Sequence, residues 1–228
     1  MADRFFVSVI LPSRARPDHL ILAVDSVFAR ASAPEDVEVL VRIDDDDVER
    51  NKPFYEYAQR VSPHWPVRIF TGPRGRGYDD LHLMYNQLAA AATGKWLFQY
   101  NDDMRITTRG WDSELQKIKT HPTVALVNPC DAFGRVTTIH PFVLRAGIQA
   151  MGHFSQNPFC DAWVGDVFGR AGAITETKAI SITHLRDDLN DEVVEGQRQS
   201  TGWSLFNTPD QIAQRVADAE SLKKLMAA

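Results

Sequence analysis

Three short apolar runs each stop abruptly at polar or acidic residues, and this constrains the fold more than anything else in the chain. Phe5–Leu11 (FFVSVIL) runs into Pro12-Ser13-Arg14, and Val37–Ile43 (VEVLVRI) into four consecutive aspartates, Asp44–Asp47. Lys95–Tyr100 (KWLFQY) runs into Asn101-Asp102-Asp103. Runs this short, apolar and rich in β-branched or aromatic residues read as buried strands. Helical spacing lies between them. Pro17 opens a stripe of Leu20, Leu22, Ala23, Val24, Val27 and Phe28; Asn51–Val61 is a second helix, and Asp79–Thr93 a third, with Gly94 placed as its C-cap. Val67–Phe70 adds a further strand, followed by a loop rich in Gly and Arg from Gly72 to Gly77. The order β-α-β-α-β-α-β predicts an α/β fold: a Rossmann-like open, mainly parallel sheet with helices on both faces. Ligands of such sheets bind outside the carboxyl ends of the strands, so the three polar ends are expected along one rim.

The second half is less regular. Val124–Asn128 and Val136–His140 read as strands, Pro141–Met151 and Asp161–Arg170 as helices, and Ala179–His184 as a strand ending in a histidine. Asp187–Ser200 is acidic and poor in apolar residues, and reads as a mobile loop. Thr208-Pro209-Asp210 opens a last helix to about Leu225. No repeat or linker divides the 228 residues, which read as one domain. A formal net charge of -5 argues against a dedicated nucleic-acid binder. Cys130 and Cys160 stand in no CxxC pattern and read as free thiols of a reducing compartment. The first apolar run falls far short of the roughly 20 residues of a membrane span. The opening MADRFFVSVILPSR has neither the basic stretch nor the cleavage site of a signal peptide, so a cytoplasmic location is expected.

Several residues could carry chemistry. Carboxylates at a strand end can hold Mg2+ or Mn2+, hard cations that prefer oxygen ligands; the same Asn-Asp-Asp also suits a polar turn. Asp44, first after its strand, could accept a hydrogen bond from a base or ribose, whereas Asp46 and Asp47 read as a solvated turn capping the next helix. Arg14, Arg16, Arg74 and Arg76 are candidates for phosphate contacts. His184 could ligate a metal or serve the fold alone. Asp161 and Asp166 lie about 140° apart on a helix and therefore do not act as a joint pair; either could be a general base. Trp111, Trp163 and Trp203 could stack on a sugar or fill the core.

Together these residues resemble the family-2-like GT-A glycosyltransferases. VSVILPSRARPDHLILAVDSV is similar to their first strand, nucleotide-binding loop and helix, and VEVLVRIDDDD to their second strand, whose base-contacting aspartate falls on Asp44. RGRGYDDLHLMYNQLAAAATGKWLFQYNDDM resembles their helix leading into a DXD metal motif. FCDAWVGDVFGRAG resembles their acidic acceptor-side motif, and ITHL the late strand whose histidine completes a metal site. IHPFVLRAG and ITHLRDD are also similar to small bacteriophage glycosyltransferases. The resemblance implies a nucleotide-sugar-binding half over residues 1–104, an acceptor half over 105–185, and a mobile loop with a C-terminal helix over 186–228. It implies donor contacts from Pro12, Ser13, Arg14, Asp44, Arg74, Asn86 and Asp102. Asp103, His184 and Asn101 would hold Mn2+ or Mg2+, with Asn101 replacing the usual acidic residue, and Asp161 or Asp166 would be the base of an inverting transfer from a UDP-sugar. The acceptor stays open between a glycan, a protein side chain and a hydroxymethylated DNA base. The DNA option needs a basic rim from Arg74–Arg76, Arg105–Arg109 and Arg186. A nucleotidyltransferase is the rival on a similar fold, but its glycine-rich loop with a lysine is replaced here by LPSRARP. A nucleotide-sugar-binding protein without turnover is the other.

Overall fold

The computed structural model describes residues 3–185 and 206–228. Its first half follows the predicted alternation: β1 (Phe5–Ser13), α1 (Pro17–Arg30), β2 (Val37–Asp44), α2 (Lys52–Val61), β3 (Val67–Gly72), α3 (Leu81–Ala91) and β4 (Gly94–Gln99). Then come β5 (Met104–Ile106), α4 (Trp111–Lys117), β6 (Leu126–Asp131), β7 (Phe142–Leu144), α5 (Arg145–Met151), α6 (Cys160–Arg170), β8 (Ile174–His184) and α7 (Pro209–Ala227). One mixed eight-stranded sheet runs β3-β2-β1-β4-β7-β6-β8-β5. The β3-β2-β1-β4 half is parallel, whereas β7 pairs antiparallel with both β4 and β6.

Alternation along β1 explains the layers. Val7, Val9 and Leu11 face a cluster that includes α1, α2 and α4, while Ile10 faces one built with α3, α5, α6 and α7. Helices therefore cover both faces, as such a sheet requires. Trp111 and Trp163 are fully buried, one in each cluster, so both are core residues and stack on no sugar; Trp203 lies outside the described residues. Leu22, placed in the apolar stripe of α1 by spacing, is instead 53% exposed.

Every residue of β2 is buried, including three charged ones, Glu38, Arg42 and Asp44. Glu38 has no exposed surface, and its carboxylate accepts from Ser8 Oγ (2.7 Å), Thr93 N (2.7 Å), Thr93 Oγ1 (2.8 Å) and Arg68 Nη1 (3.3 Å). That satisfied network ties β2 to β1 and to the entry of β4.

Gly94 opens β4 and does not cap α3, which ends at Ala91 with Ala92 as its C-cap in extended backbone. A Cβ at Gly94 would lie 2.6 Å from Ser8 N, so glycine there permits the close approach of β4 to β1. Pro141–Met151 is not one helix. Phe142–Leu144 pairs with Trp96–Phe98 as β7, and helix begins only at Arg145; three apolar residues fit either period, and the open edge of β4 decides. Val136–His140 forms only a single bridge, Val136 to Cys130. The last strand begins earlier than its apolar part, at Ile174, because β6 offers a parallel partner across a register shift. The Asp187–Ser200 loop lies outside the described residues.

Candidate active site

The carboxyl ends of β1, β2 and β4 do meet along one rim. A cavity of ≈ 260 Å3 opens there, lined by Pro12, Ser13, Arg14, Arg16 and Asp44, by Asn101, Asp102, Asp103 and His184, and by Gly77, Tyr78, Leu81 and Met84. Eight of the ten residues expected at the donor and metal positions therefore border one space. Asn86 and Arg74 are not among the lining residues. Asn86 instead pins the loop before α6: its Oδ1 accepts from Phe154 N (2.7 Å) and Ser155 N (3.0 Å), and its Nδ2 donates to Ser155 O (2.8 Å). Arg74 is half exposed and 4.0 Å from Asp46.

Asp44 is 1% exposed and accepts from Arg14 at 2.8 Å, with the buried Arg42 3.4 Å away. Arg42 also donates to Pro73 O and Gln87 Oε1, fixing the Gly/Arg loop against the end of β2. Arg14 grips Asp46 with both terminal nitrogens (2.5 and 2.9 Å), and these two aspartates raise its pKa. Asp47 is buried and does not sit in the solvated turn expected of it: its Oδ2 accepts from Ala15 N (2.6 Å) and Asn51 Nδ2 (2.6 Å). That clamp holds Ala15 at φ 62°, left-handed backbone that an alanine seldom adopts. The turn at Ala15 leaves Arg14 and Arg16 both bordering the cavity.

Behind β4, Tyr85 Oη donates towards Asn101 Oδ1 (2.8 Å) and Tyr100 O (3.1 Å), which orients the Asn101 amide. Asp102 accepts from Ser13 Oγ at 2.7 Å and lies 3.6 Å from Arg16. Burial pushes its pKa up to about 6, with the neighbouring Asp103 charge adding and Ser13 and Arg16 opposing. The raised value has a sign that can be tested. Between the ordinary carboxylate pKa near 4 and about 6, the folded chain holds a proton that the unfolded chain has released, so Asp102 lowers stability as pH rises through that window. In EDTA, Asp102→Asn is expected to unfold at higher urea than the parent at pH 7.5, by about 2–3 kcal/mol, with the gain gone by pH 4. A gain that does not change with pH would mean that the buried charge is not the cause.

Asp103 and His184 stand 81 positions apart in sequence, yet His184 Nε2 is 3.0 Å from Asp103 Oδ2. Antiparallel pairing of Met104 with His184, and the Leu185 N–H to Asp103 O bond (2.7 Å), bring them together. Burial alone would raise the Asp103 pKa, but the hydrogen bond and charge of His184, with His140 and Arg16, outweigh it and hold the carboxyl below its usual range. Asp103 Oδ1 is buried and has no hydrogen-bond partner among the described residues. An orphaned carboxylate oxygen beside an imidazole suits a divalent cation. No cluster of three or more ligating His, Cys, Asp or Glu side chains occurs among the described residues. Two protein donors fit a cation whose other positions come from phosphate oxygens and water.

The two candidate bases part company. Asp161 sits in the first turn of α6, where burial raises its pKa against the backbone N–H groups of the helix start. It is close enough to Tyr78 that its charge, after burial, helps push that phenol up to about 12, and Tyr78 lines the cavity. Asp166 is held by Arg170 (2.8 Å) and the buried Arg215 (2.7 Å), joining α6 to α7; burial would raise its pKa, but the two arginines bring it down. Tyr78, Leu81 and Met84 were not singled out from the sequence. Their one signal was position, just after the Gly/Arg loop.

No family model matches the chain, and no curated protein matches it. Solved structures do. A mannosyltransferase, PcManGT from Pyrobaculum calidifontis in complex with GDP-Man and Mn2+, is 15% identical over 100% of this chain and 69% of its own, at TM-score 0.71. S. aureus TarS 1–349 in complex with UDP is 12% identical over 97% of this chain and 82% of its own, at TM-score 0.61. GalNAc-T7 with UDP, GalNAc and Mn2+ is 12% identical over 79% of this chain and 44% of its own, at TM-score 0.59. At such identities the likeness is one of fold, and that fold is GT-A.

Proposed function

We propose that this chain, built on the GT-A fold, is a metal-dependent glycosyltransferase that moves a sugar from a nucleoside diphosphate donor to an acceptor hydroxyl. The observation that carries the reading is the junction of Asp103, its orphaned Oδ1 and His184 with Arg14, Arg16 and Asp44 around one cavity. The similar structures hold GDP-Man, UDP or UDP-GlcNAc, two of the named complexes with Mn2+, so a UDP-sugar is the first donor to test and a GDP-sugar the second.

In this reading Asp44 accepts from the base or ribose, and Arg14 and Arg16 meet the diphosphate. Arg14 is committed to Asp44 and Asp46 in the ligand-free chain, so the diphosphate must compete for it. Asp103 and His184, with Asn101 and Asp102 beside them, would hold Mn2+ or Mg2+, which supplies charge neutralisation to the leaving diphosphate. Of the two, Asp161 is the base we favour: it lines neither hollow but lies beside the cavity residue Tyr78, and its raised pKa suits proton transfer near neutral pH, whereas Asp166 is neutralised by two arginines. In a direct, inverting transfer the acceptor oxygen attacks the anomeric carbon, the bond from that carbon to the diphosphate oxygen breaks, and the acceptor proton passes to Asp161. Among the described residues no helix is long and apolar enough to cross a membrane, and both cysteines are free and buried, which suits our assignment to the cytoplasm.

Calorimetry with UDP, GDP and CDP, each in Mn2+ and in EDTA, tests the donor reading. One diphosphate is expected to bind at least about tenfold more tightly with Mn2+. Absence of binding by all three in both buffers ends the reading.

A further inference from the structure

A second, larger hollow adjoins the donor cavity. It measures ≈ 590 Å3 and shares His184 with its neighbour. A volume within the roughly 300–1,000 Å3 of ordinary small-molecule sites leaves room for more than one sugar ring. Its wall is the turn after β6. Asp131 Oδ1 accepts from the backbone N–H groups of Phe133 and Arg135 (2.9 Å each), Asp131 N donates to Arg135 O (2.7 Å), and Gly134 turns the chain at φ 74°. The turn holds Phe133 83% exposed at the hollow, with the Arg135 guanidinium 5.2 Å from its ring centre. The turn thus presents a large aromatic ring to solvent at the edge of the hollow, with Arg135 packed over it.

We infer that this hollow is the acceptor site, and that its occupant is a neutral saccharide whose pyranose ring lies on the face of Phe133; the inference rests on the glycosyltransferase reading of the adjoining cavity. Three observations select that chemistry. An aromatic face carries negative quadrupole density and attracts the weakly positive C–H face of a pyranose. Thr137, Thr138 and Thr183 border the same space and offer hydroxyls to the ring's polar edge. Charge then decides between a saccharide and a polyanion. Among the described residues Arg135 is the one arginine lining the hollow, and Asp131 neutralises it at 2.7 Å. Duplex DNA carries one negative charge per ~1.7 Å of axis and needs several uncommitted cations along its track. Of the arginines that a DNA acceptor's basic rim would draw on, Arg76 is bound to Asp80 at 2.8 Å and Arg74 approaches Asp46. His184 at the shared wall places the acceptor beside the end of the donor site where the metal would sit.

Saturation-transfer NMR on the full chain tests this, with maltotriose, chitotriose and mannotriose as probes and the donor site filled with the diphosphate that calorimetry selects. At least one trisaccharide is expected to receive saturation, falling fivefold or more in Phe133→Ala and persisting in Phe133→Trp. Phe133 is exposed, so the alanine variant should melt with the parent, which separates lost binding from lost fold. No saturation of any trisaccharide, or saturation indifferent to Phe133→Ala, overturns the inference. So does displacement of the sugar signal by a DNA duplex of about 20 base pairs in low salt. If diphosphates bind but sugars do not, the acceptor assignment alone falls; if diphosphates fail to bind, the donor reading falls whatever the sugars do.

Discussion

Asp103→Ala is expected to lower transfer, or donor hydrolysis, by about a thousandfold or more, equivalent to about 4 kcal/mol of transition-state stabilisation. The diphosphate should also lose its preference for Mn2+ over EDTA. The fold should survive, because Asp103 Oδ1 has no partner to leave stranded and the side chain fills no core. His184 outweighs the burial of that carboxylate and holds its pKa below the usual range, so the pair stabilises the fold at neutral pH and urea unfolding in EDTA should fall by about 1–2 kcal/mol. His184→Ala takes away the other donor and should reproduce the loss of metal dependence. An Asp103→Ala variant that keeps parental turnover would remove the metal assignment and leave the donor cavity without its proposed chemistry.

The second large effect separates the two aspartates of α6. Asp161→Asn is expected to cut turnover by about 10^2–10^4, the usual worth of a positioned base, with diphosphate affinity unchanged. Asp166→Asn should do the reverse. It deprives the buried Arg215 and its neighbour Arg170 of their carboxylate, so stability should fall by about 2–4 kcal/mol while the folded fraction turns over normally. Urea unfolding and single-turnover rates on the same two variants decide it. Full turnover in both would leave the base among neither.

The strand ends were legible because a buried strand and an abrupt polar stop both leave local marks, and the parallel topology then fixes where those stops meet. Asp44, Asp102 and Asp103 needed nothing more. Gly94 shows the limit: as a C-cap it satisfied the helix before it, yet its reason is the backbone of Ser8, 86 positions earlier. Asn86 shows the same limit. Its helix was readable, but its three hydrogen bonds go to residues 154–155, a pairing that no local pattern announces. Asp47 and Phe133 mark the opposite errors. A run of aspartates looked solvated although one of them is buried against Ala15 N, and an aromatic in a turn passed unnoticed although the turn leaves it 83% exposed. Long-range partners, not propensities, set Gly94, Asn86 and Asp47, whereas Phe133 is set by the local bonds of the Asp131 turn.

The contact between Asp103 and His184 has a consequence in time. On a ribosome the parallel strands β1 to β4 emerge first, and the loops that gather Arg14, Asp44 and Asp103 emerge with them. The histidine is still 81 codons away. At about 5–20 residues per second that is a delay of roughly 4–16 s. During it the nascent chain carries the other cavity-lining groups without the imidazole, and β5 without the strand that pairs it. Any activity that depends on the pair is thus withheld from incomplete chains, and appears only once β8 has been made and has docked.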